Sequence, residues 1–227
     1  MDAPAVALSA VLGLLVGWFV VVPVVERIPE PSPLPRRAQI VVALVNAALW
    51  AADANKFLRW WAVVTFFVVF STLLAVSVID LRIFRIPDRI VFPALGATFV
   101  LIVTSSLVLA PTTSDAVEAI KFALVGAVAY FAILFLFHIV YPRGMGFGDV
   151  KLALLMGLSV GWLGSTNFQS AYLVLIALFL GCVFGIVFGL AMRVVKGKGG
   201  AFPFGPALAL ATVYVILTFE KYLTNLP

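Results

Sequence analysis

The stretch GMGFGDVKL, residues 144–152, decides how this chain is read. It places three glycines and a carboxylate between two long apolar runs, at the point where hydrocarbon begins or ends. The surrounding 227 residues are 64% hydrophobic and only 11% charged, with a mean hydropathy of +1.19. That composition excludes an ordinary water-soluble domain and puts the chain in a bilayer, in contact with membrane lipids. Asp149 therefore needs a reason to be where it is.

Working outward, apolar runs broken by Pro, Gly and charge predict about eight helices, near 5–25, 38–53, 60–79, 89–110, 117–140, 150–163, 169–192 and 206–223. The second and sixth are short for a span of ~20 residues, so they tilt, cover part of the bilayer or extend into polar flanks. No strict alternation of apolar and polar residues supports a membrane barrel. The expected class is an all-α integral membrane protein, a polytopic bundle, organised as one membrane domain. Residues 1–37 supply a first helix and a short proline-rich loop, ERIPEPSPLPRR at 26–37, and 38–227 supply the main body. The first apolar run lacks the basic start of a signal peptide and reads as a retained span.

Eleven of the fifteen basic residues fall on alternate loops, 26–37, 80–89, 141–151 and 193–200. The positive-inside rule then puts both termini outside and those loops in the cytoplasm, in the plasma (inner) membrane. Scattered in this way, the net charge of +5 reflects topology and not nucleic-acid binding. One cysteine and one histidine leave no metal site, and no cofactor is expected.

On this topology two aspartates share the cytoplasmic face. Asp80 closes the apolar run WWAVVTFFVVFSTLLAVSVID, at a helix end whose dipole favours cations. Its bland reading is an interface marker paired with Arg82 or Arg85. For Asp149 the bland reading is a helix N-cap. Two carboxylates 69 positions apart, on separate helices, can also meet where those helices pack. Held close in a low dielectric, they act as one acid and one base. Such a pair can cleave a peptide without metal: one takes a proton from water while the other polarises the carbonyl. Gly146 and Gly148 would then permit unusual backbone angles and a close substrate approach. Otherwise they belong to a flexible loop.

Three blocks, in order and each at a cytoplasmic helix end, resemble the type IV prepilin peptidases, membrane aspartyl proteases of the Gly-x-Gly-Asp kind. They are IDLRIFRIPD (79–88), GMGFGDVKL (144–152) and AFPFGPALA (201–209). The likeness extends over about 38–223, and more faintly over GLLVGWFVVVPVVERIP at 13–29. It implies that Asp80 and Asp149 are the catalytic pair, cutting the basic leader from prepilin or pseudopilin substrates at the cytoplasmic face. It also implies that Lys151 and the 202–206 turn, with Pro203, Phe204 and Gly205, position substrate or shape the site. A snorkelling lysine and a proline-initiated helix are the plainer readings. Bifunctional members carry a large cysteine-rich loop after the first helix and also methylate the new amino terminus. Here that loop is about a dozen residues without cysteine, which predicts a peptidase-only form without zinc.

His138 reads as a hydrogen-bonded packing residue. Cys182 reads as a small interface residue, and Gly181, Gly185 and Gly189 as a close-packing ridge that is either internal or the seam of a homodimer. Glu26, Glu30 and Asp88 are the acidic candidates for meeting a basic leader. A small transporter or channel using paired carboxylates, or an inactive pilin-binding homologue, are the alternative functions.

Overall fold

The computed structural model describes residues 2–27, 33–57, 59–142, 144–196 and 203–219. Among the described residues there are eight helices and no strand. They are α1 (Ala3–Glu26), α2 (Arg36–Lys56), α3 (Trp60–Ile83), α4 (Asp88–Leu109), α5 (Thr113–Val140), α6 (Phe147–Gly161), α7 (Asn167–Lys196) and α8 (Gly205–Thr218). Six of these, α1 to α5 and the Asn167–Ala191 part of α7, are long and apolar enough to cross a membrane.

The second helix is longer than its apolar run, because it takes Arg36, Arg37 and Lys56 into its ends. The sixth is short, with 15 residues, and α8 has 14 described residues. These short helices lie inside the bundle beside α3. Leu152, Leu155 and Met156 of α6 and Leu208, Val215 and Ile216 of α8 are fully buried, as are Phe66, Phe70 and Val76 of α3. A helix enclosed by protein need not match the hydrocarbon thickness of ~30 Å, since neighbouring helices supply its apolar surroundings.

Small residues set the closest approaches. Gly126 of α5 lies against Gly157 and Gly161 of α6 so tightly that a Cβ on Gly157 would sit 2.9 Å from the Ala127 Cα. Lipid gives helices no hydrophobic drive to associate, and close backbone approach gains the van der Waals contact that replaces it. The glycines of α7 are used unevenly. Gly181 meets Leu208 and Gly185 meets Phe204, both internal contacts with the α8 region, while a Cβ on Gly189 would have nothing within 4 Å among the described residues. Cys182 is exposed and does not pack inside the bundle, because the face of α7 that packs inward passes through Gly181 and Gly185.

Polar side chains stitch α1, α2 and α3 together. Asn46 Nδ2 donates to the Gly13 carbonyl (2.8 Å), Ser71 Oγ donates to Asn46 Oδ1 (2.9 Å), and Trp50 Nε1 donates to Ser71 Oγ (2.9 Å). Within α1, a π turn at Gly17–Val21 directly precedes Pro23. The proline has no N–H to give the regular ladder, and the wider turn takes up the irregularity.

Around the aspartates the chain differs in detail from expectation. Helix α3 runs one turn past Asp80 to Ile83 and is capped by Phe84 in the left-handed region, φ 55° and ψ 37°. This reversal and the extended Pro87, whose ring also disfavours helix at Ile86, end the helix and separate it from α4, which starts at Asp88.

Candidate active site

Asp80, Asp149 and Gly205 come from α3, α6 and α8 and converge at one end of the bundle. Asp149 is not the N-cap of α6. Gly146 holds that position, and Asp149 is in the first turn, its carboxyl accepting from the Gly146 backbone N–H. That is the return half of a capping box, in which an acidic residue three positions into the helix satisfies the capping residue's N–H. It engages one side of the carboxyl, with Oδ2 the oxygen nearest Gly146. Oδ1 is buried and has no hydrogen-bond partner among the described residues.

Gly205 opens α8, and its N–H donates to the Asp80 carboxyl. A Cβ on Gly205 would stand 2.7 Å from Asp80 Oδ2, 3.2 Å from Ile86 Cδ1 and 3.4 Å from Asp149 Oδ1. The two carboxylate oxygens therefore face one small space, and their separation cannot exceed the first and last of those distances together. Asp80 is 5% exposed and Asp149 7%. The puzzle of a carboxylate near the C-terminal end of α3 is resolved here. The N-terminus of α8, where backbone N–H groups and the helix dipole favour negative charge, is brought to it.

The remaining sequence candidates divide. Gly146 and Gly148 flank Asp149, but neither requires a left-handed backbone: Gly146 has φ −69° and ψ 140°, and Gly148 is helical. Gly148 is needed for packing, since a Cβ there would lie 2.9 Å from the Cβ of Ile86. Pro203 is buried. Phe204 caps α8 with its ring against Gly185 of α7, and Gly205 is the residue of the trio beside the carboxylates. Ala201 and Phe202, in the third sequence block, lie outside the described residues. Lys151 does not reach into open solution. Its Nζ bonds both oxygens of Asp88 at 2.8 and 2.7 Å and sits over the rings of Phe147 and Phe92, 5.1 and 5.8 Å from their centroids.

Sequence reading missed Ile86, which touches both Gly148 and Gly205 and forms the apolar wall of the site. The signal was available in the Ile86–Pro87 pair, which forces an extended break immediately after the aspartate helix. It also left the role of His138 general. Its Nδ1 donates to the carbonyl of Met145 (2.9 Å), and its ring lies 5.4 Å from that of Phe147, so it tethers the loop that leads into α6.

Eight helices enclosing a pair of buried carboxylates at one end define a multi-pass membrane protein with a two-aspartate centre. The chain belongs to the type IV leader peptidase family, whose model matches residues 67–190, a stretch containing both Asp80 and Asp149. It is 32% identical over 165 residues to the prepilin leader peptidase/N-methyltransferase of Stutzerimonas stutzeri, covering 71% of this chain and 48% of that protein. It is 34% identical over 159 residues to the protein of the same name from Pseudomonas putida (68% and 50%), and 26% over 210 residues to that of Aeromonas hydrophila (89% and 63%). The chain thus spans about half the length of the first two relatives. No solved structure matches it.

Proposed function

We propose that this chain is an aspartyl endopeptidase of the inner membrane that removes the basic leader from prepilins or pseudopilins at the cytoplasmic face. The observation that carries the reading is the convergence of both carboxylates on the space beside Gly205, where a Cβ would stand 2.7 Å from Asp80 Oδ2 and 3.4 Å from Asp149 Oδ1. Two acidic groups this close and this shielded hold a proton between them more readily than two full charges. The ionised member takes a proton from a water molecule as that water's oxygen bonds to the scissile carbonyl carbon. The protonated member gives its proton to the carbonyl oxygen. Collapse of the tetrahedral intermediate breaks the C–N bond: the first carboxyl passes the proton taken from water to the leaving nitrogen, and the second recovers a proton from a hydroxyl of the intermediate as the new carbonyl forms. Both carboxyls end as they began.

The basic residues of the cytoplasmic loops would repel a leader rich in Lys or Arg. Among the acidic candidates for offsetting them, Asp88 is already neutralised by Lys151. Glu26 accepts from the neutral amide of Gln39 (2.8 Å), a partner that brings no opposing charge. Glu30 lies outside the described residues. Glu26 is therefore the leader-facing acid we favour. The relatives' name includes methyl transfer. The short, cysteine-free connection between α1 and α2 supports peptidase activity alone for this chain.

The direct test is cleavage of a prepilin-like substrate by the full chain in detergent, as wild type, Asp80→Asn and Asp149→Asn, with folding checked and a chelator control. Loss of cleavage in both folded variants, with no effect of the chelator, supports the reading. Cleavage retained in either removes that aspartate from the chemistry.

A further inference from the structure

Asp149 must be aimed as well as present. The Gly146 N–H engages one side of its carboxyl, while Oδ1 has no hydrogen-bond partner among the described residues. The α5–α6 contact at Gly126, Gly157 and Gly161 is backbone against backbone, which fixes the distance between the helices. Residues 149 and 151 are two steps apart on α6, so at 3.6 residues per turn they project to nearly opposite sides. On one side lie Asp80 and Gly205. On the other, Lys151 is held by both oxygens of Asp88 at the first residue of α4, with Phe92 and Phe147 beneath its ammonium. The same 84–88 segment presses Ile86 against Gly148.

We infer that the Asp88–Lys151 ion pair is a positioning device that sets the rotation of α6 and thereby aims Asp149 at Asp80, and that Lys151 does not act by binding substrate. The inference rests on the peptidase reading above. A side-chain atom lies about 5 Å from a helix axis, so a rotation of about 20° moves it by about 2 Å. A misplacement of about 1 Å at a reacting group can cost on the order of a hundredfold in rate. A half-exposed pair such as this adds little to stability, so its effect is expected in rate more than in folding.

The test compares full-chain wild type, Lys151→Met, Asp88→Asn and the charge exchange Asp88→Lys with Lys151→Asp, cleaving one prepilin-like substrate in detergent. Each single variant should lower kcat by about tenfold or more with KM changed less than about threefold, and the exchange should recover a substantial part of the loss. A raised KM at unchanged kcat would make Lys151 a substrate contact and overturn the inference, as would an exchange variant no better than the product of the singles. A second measurement does not need activity. Spin labels on cysteines introduced at Leu81 and Gly146, in a Cys182→Ala background, report the α3–α6 distance. Broadening in both single variants and narrowing in the exchange supports the device, and unchanged distributions overturn it. A wild type that cleaves nothing would sink the peptidase reading alone, leaving the label distances to decide the role of the pair.

Discussion

Gly205 donates its backbone N–H to Asp80 from a position where a side chain would collide with the same carboxyl. One residue thus provides a hydrogen bond and the absence of a Cβ, and the two requirements together select glycine.

Gly205→Ala should therefore remove most cleavage while leaving the fold. Alanine suits a helix start as well as glycine does, but its Cβ would stand 2.7 Å from Asp80 Oδ2 and 3.2 Å from Ile86 Cδ1. The easiest relief is for the Asp80 carboxyl to turn away from Asp149. We expect a fall in kcat on the order of a hundredfold, with a Tm within a few degrees of wild type. Full activity in the variant would mean that the carboxyls need not be held as they are here.

Phe84 offers a test of strain. It is the one described non-glycine residue with positive φ, and it is 52% exposed. For a bulky side chain the left-handed region costs roughly 1–2 kcal/mol, which glycine avoids. Phe84→Gly should raise unfolding stability by about 1 kcal/mol after glycine's own entropy cost is set against the gain. Thermal unfolding in detergent measures it. A loss of stability would show that the ring makes contacts that outweigh the backbone strain.

The architecture was largely legible from sequence, and the reasons are physical. Runs of apolar residues long enough for a bilayer fix the helices almost one by one, because lipid leaves the backbone no alternative. Asp80 and Asp149 were both singled out, since a carboxylate at the edge of hydrocarbon is costly without a purpose. Local offsets were harder to see. Whether Gly146 or Asp149 caps α6 depends on which residue first leaves helical geometry, which the residue types alone do not fix. Pairings between distant residues left no trace. Nothing in the chain links Asp88 to Lys151, or Gly126 to Gly157, because each depends on how whole helices rotate against one another. The spacing of Gly181, Gly185 and Gly189 drew attention to α7, while the glycine contact that brings two helices closest pairs Gly126 of α5 with Gly157 and Gly161 of α6, which have the same four-residue spacing.

That contrast can be measured. Gly157→Ala puts a methyl 2.9 Å from the Ala127 Cα, where only backbone could yield, and should cost about 1–3 kcal/mol by overpacking. Gly189→Ala meets nothing within 4 Å and should be neutral or stabilising by up to about 1 kcal/mol through helix propensity. Equal effects at the two positions, read by thermal unfolding of each variant, would count against the α5–α6 contact as a determinant of the fold.

The last expectation concerns the two aspartates as a unit. If Asp80 and Asp149 divide one proton and one reaction, removing either removes the whole function, and removing the second changes nothing further. Asp80→Asn, Asp149→Asn and the double variant should show the same residual rate within a few-fold, as groups acting together do. Independent contributors would instead multiply their losses. Stability supplies the complementary readout. Asp149 Oδ1 is buried without a hydrogen bond and faces the same space as Asp80 Oδ2. An amide at either position removes one acidic group from that space, so each single variant should unfold at or above the wild-type temperature. A clear drop in Tm for either one would mean that the carboxylate holds the fold together through contacts beyond this pair, and its loss of cleavage would then need a structural explanation before a chemical one.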